Sequence, residues 1–375
     1  MEGLFPEYKT RPLNLLVRPS FKDAIDALNG LHACSSDGHI AVDIETRLRH
    51  IACIGFATSI SDAICIPFMC TERTQGYWTI EEETSLIHKI KEVLQHPATR
   101  VIGQNFIYDM QYIVRRWGFI FPVHADTMLT QHAIFPGRQK DLAYISSLYS
   151  SDYCYWKDEG KDWNPAMDED QLWGYNCKDA IYTLEDHLAQ DIVLDKYSLQ
   201  TQASFLQDLF EPVLFMMLRG TAIDMPIRSK MGMELLEAMN SREAWFTRVM
   251  PIKLAKSKGA KPWYRSTKQQ KTLFYDLIQL PIVKNKKTGK PTVDDQALEK
   301  FMTRQPLLIP LIRKMQEYRS LGVFYNTFIS AELEHDNRIR CSYNIGGTET
   351  FRFSSSEDAF GYGTNLQNVP RGTEE

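Results

Sequence analysis

The sequence predicts an α/β chain, a mixed sheet with flanking helices, followed by a mainly α-helical region. Two observations carry this: short β-branched runs alternate with amphipathic helical runs through the first half, and strand patterns nearly vanish after about residue 200. At 375 residues and 43.4 kDa the chain suits two domains, each able to bury a core. The pattern divides it into residues 1–198, a helical stretch 199–340, and a Ser-, Gly- and Asn-rich stretch 341–375.

The runs HIAVDIET (39–46), HIACIGFAT (50–58) and DAICIPF (62–68) are separated by polar turns and read as a three-stranded antiparallel meander. EEETSLIHKIKEVLQHP follows, acidic in its first turn and stopped by proline, hence an amphipathic helix. RVIGQN (100–105) is a fourth strand, with a helix from about Phe106 to Trp117 and a short extended piece near Val123. One long helix runs from Asp168 to about Tyr197. Beyond it, FLQDLFEPVLFMMLRG, RSKMGMELLEAMNSREAWFTRVM, KQQKTLFYDLIQL and PLLIPLIRKMQEYRSLGVFYNTFISAELE keep helical spacing, joined by the Lys-rich loops KLAKSKGAKP and VKNKKTGKP.

Hydrophobic content of 43% and a mean hydropathy of -0.33 are ordinary for a globular protein. No leader pattern and no apolar span of about 20 residues occur, so the expectation is a cytoplasmic protein without a membrane role. Seven cysteines form no CxxC pair and no zinc spacing, which reads as reduced thiols. The net charge of -4 is uneven: Arg248–Lys290 holds twelve cations against Asp276 alone, a net of +11, leaving -15 elsewhere. A basic segment beside an acidic remainder suggests local contact with a polyanion and carboxylates gathered for another purpose.

Asp43 and Glu45 are two residues apart on a strand, so both project from one face while Val42 and Ile44 point into the core. Two carboxylates on one face repel unless a cation lies between them, and hard oxygen donors suit Mg²⁺ or Mn²⁺. Alone the pair is more often solvated than functional. Asp109 follows Asn105 by one helical turn, and Tyr175 and Asp179 share a helix face at i and i+4. Each of these, alone, is also ordinary: an acid favoured by a helix dipole, and a surface pair. Four acids and a tyrosine on strand, helix and helix, in this order, are not.

AVDIE, GQNFIYD and YNCKD resemble the three motifs of DEDD exonucleases of the tyrosine subtype, which have an RNase H-like fold. The histidine subtype would place His where Gly174 stands. The resemblance implies two divalent cations, Mg²⁺ or Mn²⁺, about 4 Å apart on a terminal phosphodiester. It implies Asp43 as bridging ligand, Glu45 and Asp179 on the nucleophile side, Asp109 on the leaving-group side through water, and Tyr175 positioning the attacking water. Gln104 and Asn105 would contact phosphate or support the site.

In the second half, STKQQKTLFYDLIQLP, KNKKTGKPTVDDQALEKF and MQEYRSLGVFYNTFIS resemble, in order, the thumb of family A DNA polymerases. TETFRFSSSEDAFGYGTNLQNVPRG resembles the TGRLSS…PNLQNIP signature at the start of the palm. These stretches imply DNA contacts by Ser266, Thr267, Lys268, Lys286, Lys287, Arg352, Gln367 and Asn368, although a Lys-rich run is more often a solvated loop. Phe351 occupies the family's glycine position, and the Ser355–Asn365 spacer is longer than usual. Neither palm aspartate motif, DYSxxELR-type or HDE-type, occurs in the 375 residues.

The resulting expectation is a proofreading 3′→5′ exonuclease acting on a single-stranded 3′ end of primer–template DNA. It would be the N-terminal part of a phage- or bacterium-like family A polymerase, either a truncated gene product or one piece of a split polymerase whose other half is a separate chain. The alternatives are a ribonuclease D-type exoribonuclease and a non-catalytic DNA-holding subunit of a split polymerase.

Overall fold

The computed structural model describes residues 11–34, 37–73, 75–250 and 261–369. Three lysines of the basic segment, Lys253, Lys256 and Lys258, and the end of the chain after Val369 lie outside the described residues. Two compact units divide the chain: the residues up to Gly220 together with Arg340–Asn368 form one, and Thr221–Ile339 forms the main body of the other.

The first unit is built on a six-stranded sheet of β1 (Asn14–Leu16), β2 (His39–Arg47), β3 (His50–Ala57), β4 (Asp62–Pro67), β5 (Arg100–Gly103) and β6 (Val123–Asp126). Their spatial order is β1-β4-β3-β2-β5-β6. β2, β3 and β4 form the antiparallel meander, while β5 joins β2, β6 joins β5 and β1 joins β4 in parallel. β1 and helix α1 (Phe21–Cys34) have no counterpart in the sequence reading. Three residues held beside β4 carry too short a pattern to declare a strand.

Both faces of the sheet are covered. Ile40, Val42, Ile44, Ile54 and Phe56 enter the larger core with α2 (Ile80–Leu94) and α3 (Ile107–Trp117). The other face packs Ala41, Cys53 and Cys65 against Trp173, Cys177 and Ala180 of a long helix, Glu169–Tyr197. α2 starts in a reciprocal cap between Thr79 and Glu82, and the long helix starts on the Asp168 side chain. Arg340–Asn368 also belongs to this unit: Phe360 and Ile345 enter the larger core, and Tyr112 Oη donates to the Ala359 carbonyl at 2.8 Å.

The β2–β3 hairpin turns on Leu48 and Arg49, at φ 51° and 64°. Two successive left-handed residues normally demand Asn or Gly, so Leu48, 78% exposed, holds a strained backbone without a packing return. Leu48→Asn should therefore raise stability by about 1 kcal/mol in urea unfolding. An unchanged midpoint would mean that the turn relaxes.

The second unit is helical. Its long helix Met225–Val249 is capped by Asp224 with Pro226 in the first turn, and further helices span Asp295–Arg304 and Ile309–Phe324. Its core is aromatic: Phe246, Trp263, Phe274, Phe301 and Tyr318 with Ile312 and Met315. A two-residue strand pair, Thr221–Ala222 with Arg338–Ile339, ties its ends together. No described helix is long and apolar enough to cross a membrane.

Candidate functional site

Parallel strands β2 and β5 are paired only from His39 to Ala41, so beyond Ala41 the β5-facing edge of β2 is open. Crevices at the carboxyl ends of parallel strands are where α/β sheets place their chemistry. Asp43 and Glu45 lie at that end, on the face covered by the long helix. Asp109 comes from the first turn of α3 and fills the gap beside β2, where its Oδ1 accepts the Ile44 N–H at 3.0 Å.

The long helix supplies the rest. Asp43 stands opposite Gly55 on β3, and a Cβ at Gly55 would lie 2.6 Å from Asn176 Oδ1. The bare backbone lets the helix approach, and Asn176 Nδ2 donates to Asp43 Oδ2 at 2.8 Å and to the Asp43 carbonyl at 3.1 Å. One turn on, buried Asp179 accepts from Trp156 Nε1 at 2.5 Å and from Lys157 Nζ at 2.6 Å. Lys157 also donates to Tyr175 Oη at 3.0 Å. It belongs to a short helix, Lys157–Lys161, that can pack on the Tyr175 ring because position 160 is glycine; a Cβ there would lie 2.6 Å from the ring.

Carboxylate oxygens of Asp43, Glu45 and Asp179 lie within 4.8 Å of one another. Asp109 is outside this trio but feels its charge. Burial, then the charge of Asp179, pushes Asp43 up to about 8, against the pull of Lys157 and Asn176. Glu45 is raised well above the carboxylate range by burial and by Asp43 and Asp179, and Asp109 by burial and by Asp43. Tyr175 is raised by burial and by Asp179, so its hydroxyl keeps its proton. Ionising all four acids together would place more negative charge here than Lys157 alone offsets. The all-oxygen donor set fits a hard divalent cation.

Sequence reasoning named the four acids and the tyrosine but missed Trp156, Lys157 and Asn176. Asn176 had a signal, since it lies three residues before Asp179 and so on the same side of the helix. Trp156 and Lys157 sit in an irregular stretch with no periodicity to place them.

The expected DNA contacts are distributed over both units. In the first, Gln104 Nε2 donates to the Lys140 carbonyl at 2.8 Å and its Oε1 accepts from Thr127, so its amide is committed internally. Asn105 is exposed at φ 51°, its turn held by Asp126, whose oxygens accept the N–H groups of Asn105 at 2.9 Å and Phe106 at 2.8 Å. Phe351 also adopts a left-handed backbone, φ 59°, a conformation that glycine takes most readily. Arg352 beside it is exposed, and its N–H is accepted by Thr348 Oγ1 at 3.0 Å. Gln367 Nε2 donates to the Phe353 carbonyl at 2.9 Å, and Asn368 is exposed. In the second unit, Ser266 caps the helix Thr267–Lys271, Thr267 and Lys268 are exposed, and Lys286 and Lys287 stand exposed on a turn built around Asn285.

Residues 248–375 match the model of DNA polymerase family A. The DNA polymerase I of Streptococcus pneumoniae is 23% identical over 325 residues, covering 80% of this chain and 34% of that protein. The DNA polymerase of Bacillus phage SP01 is 34% identical over 116 residues, 30% of this chain and 12% of the other. The chain thus spans about a third of the length of the first of these. In fold it is similar to the POL domain of Pol1 from M. smegmatis, solved in complex with DNA primer-template and dNTP. That similarity has a TM-score of 0.66 and 19% identity, and covers 96% of this chain and 56% of the other.

These findings correct the expectation that the chain is the N-terminal exonuclease part of a polymerase, with proofreading of 3′ termini as its function. The region that matches the family is the polymerase region, and the solved fold it shares is that of a polymerase domain. The reading failed because carboxylate order on strand and helix, which marks a metal-ready cluster, was given more weight than the thumb- and palm-like stretches. What the comparisons show is a similarity to DNA polymerases of family A, carried by residues 248–375.

Proposed function

We propose that this chain acts on DNA as a segment of a family A polymerase-type enzyme, with a divalent-cation centre at Asp43, Glu45, Asp109 and Asp179. The observation that carries the reading is the convergence of Asp43, Glu45 and Asp179 within 4.8 Å, with burial and mutual repulsion raising Asp43 and Glu45. The strand order, an antiparallel meander with two further strands added in parallel beside β2, supports an RNase H-like reading of the sheet. A bound Mg²⁺ or Mn²⁺ would supply Lewis acidity at a DNA phosphodiester.

The chain's own residues would do the rest. Asp43, Glu45 and Asp179 would hold the cation directly, and Asn176 fixes the Asp43 carboxylate. Tyr175 offers a protonated hydroxyl for orienting a phosphate oxygen or water. Lys157 balances Asp179 and stands ready to meet a phosphate. Primer–template DNA is the partner the family relationship favours, with the exposed Lys286 and Lys287 turn, Thr267 and Lys268 as phosphate contacts.

The test is incubation of end-labelled single-stranded and primer–template DNA with the chain, in Mg²⁺, Mn²⁺ or chelator. Binding in all three and phosphodiester chemistry only with a divalent ion are expected; DNA that is neither bound nor altered would overturn the reading. Reversing charge at Lys286 and Lys287 together to Glu should weaken primer–template binding about tenfold at low salt. The slope of log affinity against log salt should fall by about 2. An unaltered slope would place the phosphates elsewhere.

A further inference from the structure

Three histidines gather at the opposite end of the parallel strands. His39 opens β2, His124 is the second residue of β6, and His187 lies eight residues after Asp179 in the long helix. One ring nitrogen from each lies within 4.8 Å of the others. The rings meet edge to face, His39 to His187 at 5.0 Å, and stacked, His39 to His124 at 5.5 Å. His39 precedes Asp43 by four strand residues, about 13 Å at strand rise, so this cluster is separate from the carboxylates.

Three of its ring nitrogens lack a hydrogen-bond partner. His187 is 2% exposed, yet neither of its ring nitrogens has a hydrogen-bond partner, and neither has Nε2 of His39. Ring contacts occupy the faces of the imidazoles and leave these lone pairs and N–H groups unanswered, which native interiors rarely tolerate. Asp191 Oδ2 lies 3.5 Å from His187 Nε2, one helical turn further along. Burial, then neighbouring positive and imidazole groups, lower all three histidines, His187 to about 3. Arg100 opposes a cation here, and Asp37 and Asp191 favour one.

We propose that His39, His124 and His187 form a binding site for a borderline transition-metal ion, Zn²⁺ by donor type, with the Asp191 carboxylate at the fourth position. Three imidazoles and a carboxylate are a tetrahedral zinc set and a poor magnesium set. Around such an ion ligand nitrogens stand about 3.4 Å apart, so the rings, now within 4.8 Å of one another, would draw closer and the Asp191 carboxylate would move in beside them. The ion clips β2, β6 and the long helix together at the end of the sheet remote from the carboxylates. Its role is structural.

The experiment uses the full chain, stripped with chelator and held in excess Mg²⁺ to occupy the carboxylates, titrated with Co²⁺ as a coloured probe. One Co²⁺ per chain, with the intense visible absorption of a four-coordinate site and displacement by Zn²⁺, is expected. His124→Ala, which removes the exposed ring and leaves the core intact, should weaken binding at least tenfold and abolish the rise in melting temperature caused by Zn²⁺. Asp179→Ala should preserve both, so failure here and failure of the carboxylate centre are told apart. Absence of four-coordinate Co²⁺ binding, or binding unchanged in both His124→Ala and His39→Gln, overturns the proposal.

Discussion

In the Asp43→Asn protein, divalent-cation binding at the carboxylate cluster should fall at least about 100-fold, and metal-dependent chemistry on DNA should fall with it. The same protein, free of metal, should be harder to unfold than the parent at pH 8, by about 1–3 kcal/mol. Both effects follow from one cause. Asp43 is pushed up to about 8 by burial and by the charge of Asp179, whereas in the unfolded chain it titrates near the ordinary value of about 3.9. Between those two values the folded state keeps a proton that the unfolded state has lost. Metal-free stability therefore falls as pH rises from about 4 to 8, and Asn removes that loss. A cation must displace the same proton, so Mn²⁺ affinity in the parent should rise steadily from pH 6 to 8, in titration calorimetry with proton release. Equal stability of parent and variant across this range would mean that the cluster is solvated and unstrained.

Phe301→Ala should cost about 3–5 kcal/mol and unfold the Thr221–Ile339 unit at a temperature well below the first unit's transition. Phe301 is fully buried between Phe274 and Tyr275, at ring separations of 5.1 and 5.8 Å. Among the described residues, the core it supports shares no buried residue with the core of the sheet. Calorimetry should resolve two transitions in the variant. Primer–template affinity should collapse while Mn²⁺ binding at Asp43 and Asp179 persists. Simultaneous loss of both would make the two units one cooperative block.

Elements with long, strong periodicity were legible: β2, β3, β4, α2, α3 and the long helix all lie within about two residues of their expected bounds. So was the face of β2, where Val42 and Ile44 are buried and Asp43 and Glu45 look the other way. β1 was not legible because its three residues are ordered by pairing with β4 and not by their own pattern. Lys157 was not, because its place beside Asp179 depends on Gly160 admitting the Tyr175 ring, a steric relation with no sequence period. The histidine trio escaped for the same reason: its outer members are 148 residues apart and meet only once the sheet is assembled. Phe351 marks the converse case, in which a departure noted in the sequence turned out to be a left-handed residue.

The most direct test of the account is the anomalous scattering of crystals soaked in Mn²⁺. The account predicts a peak enclosed by Asp43, Glu45 and Asp179, with the Lys157 ammonium drawn away from Asp179 and the peak lost in Asp179→Ala. A map with no manganese at these carboxylates, and Lys157 still seated on Asp179 at saturating Mn²⁺, would contradict it.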